Sequence, residues 1–236
     1  MGRAFEFRKA RKLKRWSNIS KTFTRLSKEI IISVKENGSD PSNNSKLRAL
    51  IQNAKAANMP KDNIERAIKK ATENKTENYK EVLFEGYGPH GAAILIETAT
   101  NNNNRTVANI RSYFNKSNGN LGKAGSVEFM FDHICNFKIK SSGLNLDEIE
   151  LDLIDFGAEE VFLDEDYIMI YAPFQFFGGL QSELENRNIE IISSGFDRIP
   201  NIFKEINEKQ KEEVEKLLEK IENDNDVQNV FHTIKF

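Results

Sequence analysis

Hydrophobic residues recur along this chain with two different periods, and the change of period marks out its organisation. Ile19, Phe23, Leu26, Ile30 and Val34 return every three or four residues, the spacing that aligns one face of an α-helix. The stripe stops at Asn37-Gly38, where glycine can take the left-handed cap, and Asp40-Pro41 makes the turn. Leu47, Leu50, Ile51 and Ala54 mark a second helix, with Lys46, Arg48 and Lys55 on its other faces. Pro60 suits the first position of a third helix, where a missing N–H costs nothing. Its apolar stripe is Ile64, Ala67, Ile68 and Ala71, and Lys61, Arg66, Lys69 and Lys70 lie outside it. Short amphipathic helices joined by tight turns predict a small bundle.

After a polar linker, "TENKTEN" at 72–78, strands alternate with helices. Val82–Gly86 and Ala92–Thr98 read as strands joined by "GYGPHG", and Asn104–Lys116 as a helix with Val107, Ile110 and Phe114 on one face and Arg105, Arg111 and Lys116 on another. The asparagines at 101–104 suit a helix start, and the Asn and Gly residues after Lys116 suit its stop. Ser126–Phe131 reads as the next strand. Residues 136–200 then follow the order β-α-β-β-α-β, with a hairpin turning at "DED" (164–166) and a Phe-rich helix at 174–186. A last helix, striped by Val214, Leu217, Leu218 and Ile221, precedes a strand at 227–234. The predicted fold class is α+β: an N-terminal three-helix bundle followed by two ferredoxin-like α/β domains, the third domain inserted in the second. The expected boundaries are 1–75 for a basic arm and bundle, 79–135 plus 201–236 for one α/β domain, and 136–200 for the inserted one.

Charge changes the picture most. The net charge of −2 over 236 residues conceals a separation: residues 1–72 hold 18 Lys and Arg against 6 Asp and Glu, and the remainder holds 16 against 30. A cationic head on an anionic body points to a polyanionic partner. The arm contributes Arg8, Lys9, Arg11, Lys12, Lys14 and Arg15, closed by Trp16, which reads as a core anchor. The helices add Lys21, Arg25, Lys46, Arg48, Lys55, Lys61, Arg66, Lys69 and Lys70. Arg105 and Arg111 either extend this track or pair with local carboxylates. Several cations on one surface suit nucleic acid, because each neutralised phosphate releases condensed counterions.

Catalytic chemistry finds little support. His90, His133 and His232 fall in no metal-ligand spacing, and neither a nucleophile elbow nor a phosphate-binding P-loop occurs. "GYGPHG" reads as a tight hairpin and Asp164-Glu165-Asp166 as a solvated turn. The single cysteine, Cys135, excludes an intrachain disulfide and reads as a buried structural thiol. No apolar run approaches the ~20 residues that span a bilayer, the basic N-terminus lacks the apolar stretch of a secretory signal, and Glu6 argues against N-myristoylation. The expectation is a cytoplasmic, non-enzymatic protein with no cofactor, no metal, no membrane contact and no small-molecule substrate.

"KTFTRLSKEI" (21–30), "AANMPKDNIERAIKKAT" (56–72), "FEGYGPHG" (84–91), "NRTVANIRSYFNKSNGNLGKAGSVEFMF" (104–131) and "DVQNVFH" (226–232) closely resemble the YebC/PmpR family. The resemblance implies a three-domain cytoplasmic protein that binds nucleic acid, labelled in most members a probable transcriptional regulator. It also implies, for some members, kinship with mitochondrial translational activators and help to ribosomes at proline runs. Two functions are therefore carried forward: a DNA-binding transcriptional regulator, and a ribosome-associated translation factor that binds RNA. The chain departs from the family pattern in its first residues, at Asn102 and Asn103, where Asp and Arg are frequent, and at His90, where Gly is frequent.

Overall fold

A computed structural model describes residues 19–73 and 78–236. The described chain is mixed α+β and divides into two compact units, one of residues 1–74 and 133–199, the other of 75–132 and 200–236. No helix among the described residues is long and apolar enough to cross a membrane.

The first unit begins with three helices, α1 (Ile19–Asn37), α2 (Ser45–Ala56) and α3 (Lys61–Thr72). Ile30 and Val34 of the α1 stripe are buried, and the helix closes where Gly38 takes φ 87 and donates its N–H to the Val34 carbonyl at 2.9 Å. The buried Asn44 then ties two helices together. Its Oδ1 accepts from the Leu47 N–H at 2.9 Å, capping α2, while its Nδ2 donates to the carbonyls of Ser33 and Gly38, each at 2.9 Å. Asn58, at φ 58, ends the turn after α2, and Pro60 stands immediately before α3 rather than within it.

The same unit contains β4 (Phe131–Lys140), α5 (Leu146–Ile154), β5 (Glu160–Asp164), β6 (Tyr167–Pro173), α6 (Phe177–Asn186) and β7 (Ile191–Pro200). This is the β-α-β-β-α-β order expected for residues 136–200, in a four-stranded sheet ordered β5-β6-β4-β7. Alternate residues of β4 and β6, Cys135, Phe137 and Ile139 with Ile168 and Ile170, pack beneath Leu153 and Leu180 of the two helices. Ala49 of α2 joins this core.

The second unit holds β1 (Lys80–Tyr87), β2 (Ala93–Thr100), α4 (Asn103–Lys116), β3 (Asn120–Leu121), α7 (Glu208–Glu222) and β8 (Val227–His232), with sheet order β3-β1-β2-β8. Phe114, Leu217 and Ile221 of the helices cover Phe84, Ile94 and Ile96 on one face. The elements run β-β-α-β-α-β, the succession read from the sequence, which is not the β-α-β-β-α-β order that the ferredoxin-like class implies. A 3-10 turn at Pro89–Gly91 folds β1 directly onto β2 as the expected antiparallel hairpin.

Residues 126–130 do not form the expected strand, and β4 begins only at Phe131. The third strand is the pair Asn120–Leu121 on β1, and the ladder ends where Gly122 donates to the Glu85 carbonyl at 2.7 Å. Beyond it the Glu85 carboxylate collects the next backbone donors. It accepts from Gly125 at 2.6 Å, Val127 at 2.7 Å and Glu128 at 2.8 Å. With those N–H groups taken, no ladder can form there. Two of the apolar residues that suggested a strand are buried all the same: Val127 and Phe131 pack with Ala93, Leu95 and Phe231 on the sheet's other face, while Phe129 is exposed.

Candidate nucleic-acid interface

The cationic residues of the bundle separate into two groups by what surrounds them. Helix α3 buries Ile64, Ala67 and Ala71, and the helical period then places Arg66, Lys69 and Lys70 on the opposite side, where all three are exposed. Lys69 and Lys70 lie in the last turn, where cations meet the negative end of the helix dipole. Arg66 and Lys70 stand four residues apart, a spacing at which like charges repel by a few tenths of a kcal/mol. Lys55, in the last turn of α2, is also exposed. Lys61 is exposed and 3.3 Å from Glu65.

The second group faces inward. Lys21 and Arg25 are half-buried along α1, and Lys46 lies 3.6 Å from Glu36. Arg48 has internal partners for all three guanidinium nitrogens. Its Nε and Nη2 donate to Glu185 at 3.0 and 3.2 Å, and its Nη1 donates to the carbonyls of Pro41 and Ser42 at 2.7 and 3.1 Å. This bidentate pair fastens α2 to α6, and Asn53 adds a reciprocal pair of bonds with the Ser194 backbone at 2.5 and 2.9 Å. Arg48 therefore holds the unit together and drops out of the surface set.

In the second unit Arg105 is half-exposed but committed. Its Nη2 donates to Asp226 at 2.6 Å and to Asn101 at 3.0 Å. The same buried carboxylate oxygen accepts from the Thr100 and Thr106 hydroxyls at 3.2 and 2.9 Å. Of the two alternatives for this arginine, the structure has it paired with a local carboxylate. Arg111 is exposed. Asn102 caps α4, accepting from the Arg105 N–H. Arg8, Lys9, Arg11, Lys12, Lys14, Arg15 and Trp16 lie outside the described residues.

His133, Cys135 and His90 have partners within the fold. His133 stacks on Phe174 with ring centroids 4.0 Å apart. Burial and then the nearby Arg198 charge lower its pKa to about 4, so the ring is neutral at pH 7. Cys135 is buried, and burial pushes its thiol up to about 12. His90 sits in left-handed backbone at φ 59, which explains why glycine suits that position; its ring meets Glu213 at 2.8 Å and its carbonyl accepts from Lys204 Nζ at 2.5 Å. Among the described residues no group of three or more His, Cys, Asp or Glu could hold a metal ion.

One feature escaped sequence reasoning altogether. Glu85 is 3% exposed. Burial raises its pKa, yet the backbone bonds from Val127, Gly125, Glu128 and Ser126 outweigh that, and the carboxyl is held below its ordinary value. Its bonds reach forty residues along the chain, beyond any local pattern.

Comparison with known proteins covers nearly all of the chain. Residues 3–74 match the family model described as the TACO1/YebC protein N-terminal domain, and residues 79–234 match the one described as the TACO1/YebC second and third domain. A protein of Flavobacterium johnsoniae named "Probable transcriptional regulatory protein" is 70% identical over 235 residues, covering 100% of this chain and 99% of the relative. A protein of Parabacteroides distasonis with the same name is 56% identical, covering 100% and 97%. The crystal structure of a conserved hypothetical protein from Aquifex aeolicus superposes with a TM-score of 0.78 at 34% identity, covering 93% of this chain and 91% of that one.

Proposed function

The chain belongs to the TACO1/YebC family, and from that premise we propose that it is a nucleic-acid-binding regulator of gene expression. Its first target on this reading is DNA, as in a transcriptional regulator, in keeping with the names its relatives carry. The observation that carries the reading is the outer face of α3, where Arg66, Lys69 and Lys70 stand exposed opposite a buried apolar stripe, with Lys55 exposed on α2. Lys and Arg on a rigid helix meet phosphates by charge, and Arg adds a bidentate fork. The exposed positions of α3 carry no Asn or Gln to read adenine edges. Arg66 has the fork that reads a guanine edge; the reading rests only on phosphate contact, which by itself tolerates many sequences.

That tolerance favours a second reading, a translation factor on ribosomal or messenger RNA, because backbone cations grip an RNA helix as readily as a DNA one. The experiment takes both. Binding of the full chain to duplex DNA, duplex RNA and purified ribosomes is compared with that of a variant carrying Lys55→Glu, Arg66→Glu, Lys69→Glu and Lys70→Glu. The reading expects at least a hundredfold loss on whichever target the parent binds, and the preferred target decides between DNA and RNA. Undiminished binding by the reversed variant would refute it.

A further inference from the structure

The Glu85-anchored loop presents an aromatic side chain to solvent. Phe129 is 71% exposed, and the segments hydrogen-bonded to its loop expose Ile202 at 76% and Tyr87 at 40%. The backbone that carries it is held on every side. The Tyr87 hydroxyl donates to the Ser126 carbonyl at 3.2 Å. Asn201 donates through Nδ2 to the Phe129 carbonyl at 3.2 Å and through its own N–H to the Met130 carbonyl at 2.9 Å. At the tip, Lys123 is exposed, and the left-handed Gly125, at φ 81, lets the chain turn back towards Glu85. The loop's backbone is already ordered, so a partner landing on the ring has only the Phe129 side chain to fix.

We propose that this loop is a stacking site for an unpaired base of single-stranded nucleic acid, with Phe129 as the platform and Lys123 as the phosphate contact. A flat ring accepts any base face, and an exposed aromatic with a cation on the same loop supplies both a stacking surface and a charge for the strand's phosphates. Size supports a base over a protein. Phe129, Tyr87 and Ile202 together expose on the order of 400 Å², about half of what one partner buries in a stable protein interface. The inference rests on the nucleic-acid reading above and adds to it a preference for unpaired strands.

The test uses the full chain and an oligonucleotide carrying 2-aminopurine, single-stranded or annealed. Phe129→Ala is expected to weaken single-strand binding about 5- to 150-fold and to abolish quenching of the base, while the salt dependence and the duplex affinity stay unchanged. Phe129→Trp is expected to keep both the affinity and the quenching. If Phe129→Ala binds and quenches like the parent while neutralising Arg66 and Lys69 still weakens binding, this inference falls and the broader reading stands. A variant altered only in its sedimentation would assign the patch to protein contact and equally overturn it. If the parent binds no polynucleotide, the broader reading has failed and takes this site with it.

Discussion

Glu85→Gln is the substitution whose consequences the structure defines most closely. The carboxylate accepts three backbone N–H bonds of 2.6 to 2.8 Å, and an amide of the same shape keeps only one oxygen. The other position becomes an NH2 group facing an N–H donor. Bonds to a charged acceptor exceed those to a neutral one by about 1 kcal/mol each. Against that, burying an amide costs less than burying a carboxylate. The balance is a loss of about 2–3 kcal/mol, read from urea unfolding monitored in the second unit. Its pH dependence has a defined sign. A carboxyl held below its ordinary value contributes stability above that value and loses it as pH falls through the native one. The gap between parent and variant is therefore full at pH 7 and closes as pH drops below 4.5, the ordinary glutamate value. Equal stabilities at pH 7, or a gap unchanged down to pH 3, would refute the reasoning.

Four further outcomes rest on particular contacts. Arg48→Lys removes the fork that holds Glu185 and two turn carbonyls, and is expected to cost about 1–3 kcal/mol in denaturant titration; Lys46→Ala, at a more exposed pair, should cost under about 0.5 kcal/mol. Asp226→Asn weakens an acceptor shared by Arg105, Thr100 and Thr106 and is expected to lower stability by about 2 kcal/mol in the same assay. Cys135, its thiol pushed up to about 12, should not react with a thiol reagent at pH 8 until the chain unfolds; modification of the native protein at the rate of a free thiol would contradict the burial.

How far the sequence disclosed this arrangement depends on the range of each interaction. The three bundle helices were legible because their apolar stripes and stop signals are local: Gly38 takes the positive φ that its place after Asn37 implies. The β-α-β-β-α-β order of 136–200 was legible for the same reason, and Glu165 at the hairpin tip adopts φ 57 as a tight turn requires. Ser126–Phe131 misled because Val127 and Phe131 do become buried, yet the N–H groups of Val127 and Glu128 are claimed by a carboxylate some forty residues earlier. At the candidate interface, composition and period identified the exposed face of α3. They could not separate Arg66 from Arg48, since both are arginines on amphipathic helices. What distinguishes them is Glu185, more than a hundred residues away. Phe129 lies within the same stretch, and nothing local marks it as exposed.

The central claim is that α3 grips polyphosphate, and the salt dependence of binding tests it most directly. On duplex DNA each phosphate contact contributes about −0.9 to the slope of log K against log salt. Replacing Arg66, Lys69 and Lys70 by Gln should make the slope shallower by about 2.7, so that raising salt from about 50 to 200 mM weakens the variant about 40-fold less than the parent. A variant with the parent's slope would mean that these three residues touch no phosphate, and the account would be wrong.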